Sequence, residues 1–201
     1  MANKIRVAVL ISGRGSNMEK LHLATLNKDF PAEISVIGSN NPDSQGLIYA
    51  NKNNIAHFVI DHKKFANSSN PRLDFDIAMI DELQKYNVDL ICLAGFMRIL
   101  TKEFIEKFPN RIINIHPSLL PKFKGANAVK DALESGENIT GCTTHFVIPE
   151  LDSGTIIMQS KVKINKDDDF FSLLNKIHCE EYKIYPLTLE IIAKKILDHQ
   201  L

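Results

Sequence analysis

Residues 4–11, Lys4-Ile5-Arg6-Val7-Ala8-Val9-Leu10-Ile11, are nearly all apolar. An apolar run without alternation buries both its faces, as a central strand of a parallel sheet does. Parallel strands need crossover connections, commonly helices. The sequence supplies them. Ser16 and Glu19 stand in capping-box relation, and Met18, Leu21 and Thr25 follow at helical spacing. Residues 34–38 read as a second strand, 45–51 as a short helix and 56–60 as a third strand. Asn70-Pro71 opens a helix with one face marked by Leu73, Ile77, Ile80 and Leu83. Residues 88–93 form the next buried strand, closed by Ala94-Gly95, and Thr101 caps a short helix ending before Pro109. Residues 111–115 form a further strand.

The pattern then changes. Residues 127–134 look helical and end at Ser135-Gly136. Residues 139–148 and 155–164 are β-type runs joined by a wide turn, Pro149-Glu150-Leu151-Asp152-Ser153-Gly154. Asp167-Asp168-Asp169 precedes a helical pattern reaching the C-terminus, where negative charge complements the helix dipole. Pro186 is expected to break or kink that helix. The economical architecture is one α/β domain over residues 1–201. It is a Rossmann-like, doubly wound, mostly parallel sheet extended by antiparallel C-terminal strands.

Composition narrows the function classes. Lys+Arg and Asp+Glu each number 24, so the formal charge is zero and no broad nucleic-acid surface is expected. A local anion site remains open. Cys92, Cys142 and Cys179 lie far apart with no CxxC and no zinc-like spacing, a reduced, intracellular pattern in which no metal is expected. The first strand begins too early to leave room for a signal peptide. No apolar stretch has the length of a membrane span. A cytoplasmic location is expected.

Three segments carry chemistry. In Asn114-Ile115-His116-Pro117-Ser118-Leu119-Leu120-Pro121, strand alternation points Asn114 and His116 the same way, and Pro117 keeps His116 extended. An amide donor and an imidazole at a strand's carboxyl end can stabilise an oxyanion where α/β sheets hold ligands. A strand exit with a capping Asn and a surface His is the plain alternative. In Ser12-Gly13-Arg14-Gly15-Ser16-Asn17, glycines ahead of a helix let backbone approach an anion. Met18 replaces the third glycine of a dinucleotide fingerprint, so one phosphate monoester fits better than a pyrophosphate. A tight turn without ligand is the alternative. Asp152 reads first as turn chemistry and second as a carboxylate that orients His116.

Taken in order, the glycine loop, Leu93-Ala94-Gly95-Phe96-Met97-Arg98-Ile99-Leu100, the Asn114–Pro121 segment and Leu151-Asp152-Ser153-Gly154 resemble the folate-dependent formyltransferase family. The Gly-Ser-Asn loop and the Phe-Met-Arg segment narrow the resemblance to the phosphoribosylglycinamide formyltransferases, over about residues 4–197. The resemblance implies transfer of the formyl group of 10-formyltetrahydrofolate to the amine of N1-(5-phosphoribosyl)glycinamide. The products are formylglycinamide ribonucleotide and tetrahydrofolate, in de novo purine (IMP) biosynthesis.

It also implies roles. Asn114, His116 and Asp152 would be the catalytic trio. The Asn114 amide would donate to the tetrahedral oxyanion, and Asp152 would hold His116 protonated and relay a proton through water. Gly15, Ser16 and Asn17 would hold the ribonucleotide phosphate, and Glu181 the ribose hydroxyls. Arg72, Met97, Arg98, Ile99, Leu100 and Asn114 would meet folate, with residues 149–152 completing the pterin pocket. Without the resemblance, Glu181 reads as a solvated helix face and Arg72 as an ordinary helix start. The ribonucleotide part would cover about residues 1–100 and the catalytic, folate-binding part about 101–201. Partners are the two small molecules, with no nucleic acid or membrane, in a monomer or weak homodimer. Asn127 and His178 stand where some relatives carry histidine and lysine, respectively. A tRNA-formylating relative would need an added C-terminal domain, and a formylfolate hydrolase an N-terminal one. A silent binding module would not require the trio.

Overall fold

The computed structural model describes residues 3–201. In chain order the elements are β1 (Ile5–Ile11), α1 (Ser16–Thr25), β2 (Ala32–Ser39), α2 (Gln45–Lys52), β3 (His57–Val59), α3 (Pro71–Gln84) and β4 (Leu90–Leu93). There follow α4 (Lys102–Lys107), β5 (Ile112–His116), α5 (Ala128–Glu134), β6 (Ile139–Phe146), β7 (Ile156–Lys163) and α6 (Phe170–Leu197). The strands form one seven-stranded sheet in the order β3-β2-β1-β4-β5-β6-β7. Pairing is parallel from β3 to β5 and antiparallel from β5 to β7. The chain starts at β1, winds outward to β3, and returns on the other side to β4. The strand order therefore reverses between β1 and β4, the place where such sheets open a crevice at their carboxyl ends.

The apolar run of β1 feeds two cores because its side chains alternate. Val7, Val9 and Ile11 join Met18 and Leu21 of α1 and Ile184, Tyr185 and Leu189 of α6. Ala8 and Leu10 join Phe75, Met79 and Leu83 of α3 and Phe104 of α4. Further along the sheet, Ile113, Ile115 and Cys142 point into the α6 layer. All three cysteines are free, and Cys92 and Cys142 are buried. Among the described residues, no helix is long and apolar enough to cross a membrane.

Two local expectations give way to packing. Pro186 does not end its helix: α6 runs unbroken through it. Tyr185, Thr188 and Leu189 are buried on either side. The Tyr185 hydroxyl donates to the Leu93 carbonyl at 2.9 Å, tying α6 to the end of β4. The apolar burial of the flanking turns outweighs the backbone bond that proline removes. On α3 the buried stripe is Phe75, Asp76, Met79 and Leu83, whereas Ile77 is 46% exposed. Phe75 sets that rotation by packing edge-on against Phe65, with centroids 5.9 Å apart.

The β6–β7 pair approaches too closely for any side chain at Gly141. A Cβ built there falls 1.9 Å from the Ser160 carbonyl oxygen of β7. Gly141→Ala is therefore expected to spread the hairpin and destabilise the protein by about 1–3 kcal/mol or more. Urea unfolding measures this, and a midpoint equal to wild type would show that the strands part without cost.

Candidate active site

β5 is the last parallel strand and the first antiparallel one, so its neighbours run in opposite directions. Asn114 sits opposite His145 of β6, and His116 opposite Thr143. Alternation puts all four side chains on one face of the sheet, away from α6. His116 is 5% exposed. Its Nε2 donates to the Phe123 carbonyl oxygen at 2.8 Å. A carbonyl cannot donate, so Nε2 carries a proton and Nδ1 is left facing Asp152 Oδ2 at 3.5 Å.

Asp152 reaches this place through a tight turn. Its own φ is +47°, in the left-handed region. Two residues on, a Cβ at Gly154 would lie 1.8 Å from the Phe146 carbonyl oxygen, so only glycine lets the turn fold back onto β6. Asp152 Oδ2 also accepts from the Gly125 backbone N–H at 2.8 Å. Asp152 Oδ1 lies 3.7 Å from His145 Nε2. One carboxylate thus stands between two imidazoles. Burial holds His145 below the usual histidine range, against the Phe146 carbonyl and Asp152, which favour its cation. His145 was not among the residues picked out from sequence. Its signal was present only in the pairing of residues 139–148 with the strand carrying Asn114.

These polar groups lie on the wall of a cavity of about 380 Å³. Leu93, Phe96, Leu100 and Val147 supply apolar wall, and Pro149, Glu150 and Leu151 close one side. That size and mixture suit a small organic ligand. Met97 and Ile99 are 73% and 53% exposed and stand at its rim. Arg98 also lines it, with its guanidinium carbon 5.7 Å from the Phe75 ring centroid. Its Nε is buried with no hydrogen-bond partner among the described residues. The rim segment is pinned at both ends. The Met97 N–H donates to Ser12 Oγ at 2.7 Å, and the Thr101 N–H to the buried Asp76 at 2.6 Å. Arg72 is exposed on the first turn of α3 and is not part of the cavity wall.

The glycine loop lies beside this rim, because the Ser12 N–H donates to the Gly95 carbonyl oxygen at 3.2 Å. Gly15, with φ +78°, is the N-cap of α1, and no side chain caps the helix. The expected capping box of Ser16 and Glu19 does not form. Ser16 is already the first helical residue, so its side chain is not at the capping position. The first N–H groups of α1 are left to an external acceptor, as an anion site requires. A Cβ at Gly15 would lie 2.9 Å from the Met18 methyl and 3.1 Å from Gly46 Cα, so the close turn needs glycine.

Asn17 and Glu181 meet behind the loop. The Asn17 Nδ2 donates to Glu181 Oε2 at 2.7 Å. Glu181 is 3% exposed rather than on a solvated face, because α6 presents it inward against α1. Asn17 Oδ1 is buried with no partner among the described residues. His178 stacks on Tyr182, 4.0 Å from Glu181 Oε2, and Asn127 is an exposed N-cap of α5. The structure therefore gathers Asn114, His116 and Asp152 in one place. It puts Met97, Arg98, Ile99 and Leu100 around the same cavity, and Gly15, Ser16, Asn17 and Glu181 at the mouth of α1.

The family model described as formyl transferase matches residues 5–189. The chain is 43% identical over 190 residues to the human trifunctional purine biosynthetic protein adenosine-3, covering 94% of this chain but 18% of that protein. It thus spans about a fifth of the length of that relative. It is 43% identical to the phosphoribosylglycinamide formyltransferase of Haemophilus influenzae, covering 92% of this chain and 85% of that one. Its fold is similar to the solved glycinamide ribonucleotide transformylase 1 of Symbiobacterium toebii. The TM-score is 0.91 at 39% identity, over 96% of this chain and 90% of that one.

Glu181 ties the site to stability. Burial pushes its carboxyl from an ordinary 4.5 up to about 7, against the Asn17 hydrogen bond. Between those values the folded protein keeps a proton that the unfolded chain has lost. Stability then falls as pH rises from 4.5 to about 7, and the cost is complete above. Glu181→Gln keeps an acceptor for Asn17 and removes the titration. Its stability relative to wild type is expected to rise between pH 5 and pH 8, by up to about 3 kcal/mol. Unfolding both proteins at the two pH values checks this, and a pH-independent difference would contradict it.

Proposed function

The chain belongs to the formyl transferase family, and from that we propose that it acts as the phosphoribosylglycinamide formyltransferases do. It transfers a formyl group from a folate-type donor, 10-formyltetrahydrofolate, to the amine of N1-(5-phosphoribosyl)glycinamide. This is a step of de novo purine biosynthesis, set in the cytoplasm. The observation that carries the proposal is the Asp152 carboxylate held beside His116, with Asn114 on the same face, at the wall of a largely apolar cavity. Pure binding needs no such trio.

The donor supplies the formyl carbon. The cavity wall from Leu93 to Leu100, with residues 149–151, takes its flat ring system, and the orphaned Arg98 Nε fits a polar ligand at the rim. Asn114 donates its amide hydrogen to the oxygen on which negative charge develops. His116, when protonated on Nδ1, adds positive charge at the same point and forms an ion pair with Asp152. Asp152 keeps the ring oriented and accepts a proton from the attacking amine through water; as the tetrahedral intermediate collapses, the bond from the formyl carbon to the donor's N10 breaks and that proton passes to N10, releasing tetrahydrofolate. Removing one such donor costs about 2.7–4 kcal/mol of barrier. At the other end, the uncapped N–H groups of Ser16 and Asn17 hold the phosphate monoester. Glu181 and the orphaned Asn17 Oδ1 meet the ribose hydroxyls. Arg72 stands outside the cavity wall on the first turn of α3, and its contact with folate rests on the family resemblance alone.

The test is spectrophotometric. Purified protein is mixed with a 10-formylfolate donor, with and without glycinamide ribonucleotide. Folate product that forms only with the ribonucleotide is expected. Product without it would mean hydrolysis instead, and none in either mixture would leave a binding protein. In the same assay Asp152→Asn is expected to lower turnover by about 10²-fold or more. Both ligands should still bind by calorimetry, and wild-type turnover in this variant would remove Asp152 from the chemistry. Ser16→Asp puts a negative charge at the phosphate and is expected to raise the ribonucleotide KM by about tenfold or more, leaving donor affinity unchanged. An equal loss for both ligands would instead mean a disordered loop.

A further inference from the structure

Asn114 and His145 face each other across the β5–β6 ladder, with Asn114 Nδ2 3.3 Å from His145 Nε2. The other ring nitrogen, Nδ1, lies 2.8 Å from the Phe146 carbonyl oxygen. A carbonyl has no hydrogen to give, so Nδ1 carries the ring's proton. In the neutral ring Nε2 is then an acceptor, and whatever touches it must donate. The Asn114 amide has one end that can, its NH2 group. Turned over, it would set Oδ1 against Nε2, lone pair against lone pair. Hydrogen donation thus runs from the Asn114 amide to Nε2 and from Nδ1 to the Phe146 carbonyl.

Nothing else nearby competes for Nε2. Asp152 Oδ1 lies 3.7 Å away, outside hydrogen-bond range, and has no proton to offer when ionised. Burial of the ring at 2% exposure disfavours its cation. The two histidines around Asp152 are therefore not equivalent. His116 gives its Nε2 proton to a backbone carbonyl and turns Nδ1 to the carboxylate. His145 gives its Nδ1 proton to a backbone carbonyl and turns Nε2 to Asn114.

We propose that His145 is a positioning residue for formyl transfer. Its Nε2 accepts one Asn114 hydrogen, fixes the facing of the amide, and leaves the second Nδ2 hydrogen for the oxyanion. The role rests on the transfer reaction proposed above. An oxyanion donor is effective because it is already oriented when charge develops. Without His145, the Asn114 NH2 is free to rotate or to turn toward the Asp152 carboxylate.

The experiment combines kinetics with nitrogen-15 NMR of the histidine rings in the unmodified protein. At neutral pH the His145 ring is expected to be protonated on Nδ1 and bare on Nε2. His145→Leu is expected to lower kcat by about 10–100-fold, below the roughly 10²–10³-fold of losing the donor outright. Both KM values should stay within about threefold, since Asn114 acts on the transition state. His145→Gln offers an Oε1 acceptor at a similar place and should bring kcat back to within about fivefold. In an Asn114→Ala background, His145→Leu should cost less than about threefold, because the residue it positions is gone. A full, multiplicative loss in that background would overturn the proposal, as would a proton on Nε2 in the unmodified protein. If His145→Leu does not fold, the glutamine variant and the NMR decide alone. Absence of ribonucleotide-dependent turnover in wild type would overturn the transfer reaction and the catalytic role with it. The Nδ1-protonated ring bonded to Asn114 would then survive as structure only.

Discussion

Everything in the cavity wall depends on the register of the β5–β6 ladder. Four residue pairs run from Ile113 opposite Phe146 to His116 opposite Thr143. Side chains alternate along a strand, so a slip of one residue would turn Asn114 and His116 into the α6 core and bring Ile113 and Ile115 to the cavity. Threonine holds the register. The Thr143 hydroxyl donates to the Ser118 carbonyl at 2.6 Å and accepts from the Leu120 N–H at 3.1 Å. Gln159 of β7 reaches across to the same hydroxyl and to the Leu120 carbonyl, each at 2.9 Å. The loop leaving β5 is thereby fastened to both antiparallel strands, and the Phe123 carbonyl that fixes His116 is delivered by that loop.

What the chain disclosed in advance follows the range of the forces involved. Asn114 and His116 were legible because alternation and Pro117 act within a few residues. The glycine loop was legible for the same reason, although the capping box proposed for it was not formed, since Gly15 occupies the cap. Asp152 was undecidable as a lone turn residue, because its approach to His116 depends on β6 returning beside β5. His145 was missed on that ground too: a histidine inside a β-type run says nothing until its partner strand is known. At Pro186 the helix does not break, and on α3 the face marked by Ile77 is partly exposed, because tertiary packing overrode local preference. Glu181 looked like surface from its neighbours in sequence and is buried because α6 lies against α1.

The site is built at some expense to stability. The Glu181 carboxyl is held out of water with one hydrogen bond, from the Asn17 amide, and Asn17 and Arg98 each keep a buried polar atom without a partner among the described residues. Such arrangements cost free energy in the folded chain. Glu181 and Asn17 lie where α6 meets α1, and Arg98 lies on the cavity wall.

Ser12 joins two segments that are 85 residues apart in the chain, through its Oγ to the Met97 N–H. It also donates to Asn40 Oδ1 at 2.5 Å and, through its backbone, to Gly95. The distance between the glycine loop and the cavity rim is therefore set by this cross-link and not by the length of chain between them. Loss of that one hydroxyl would leave the Met97 N–H and Asn40 Oδ1 without the partner they share.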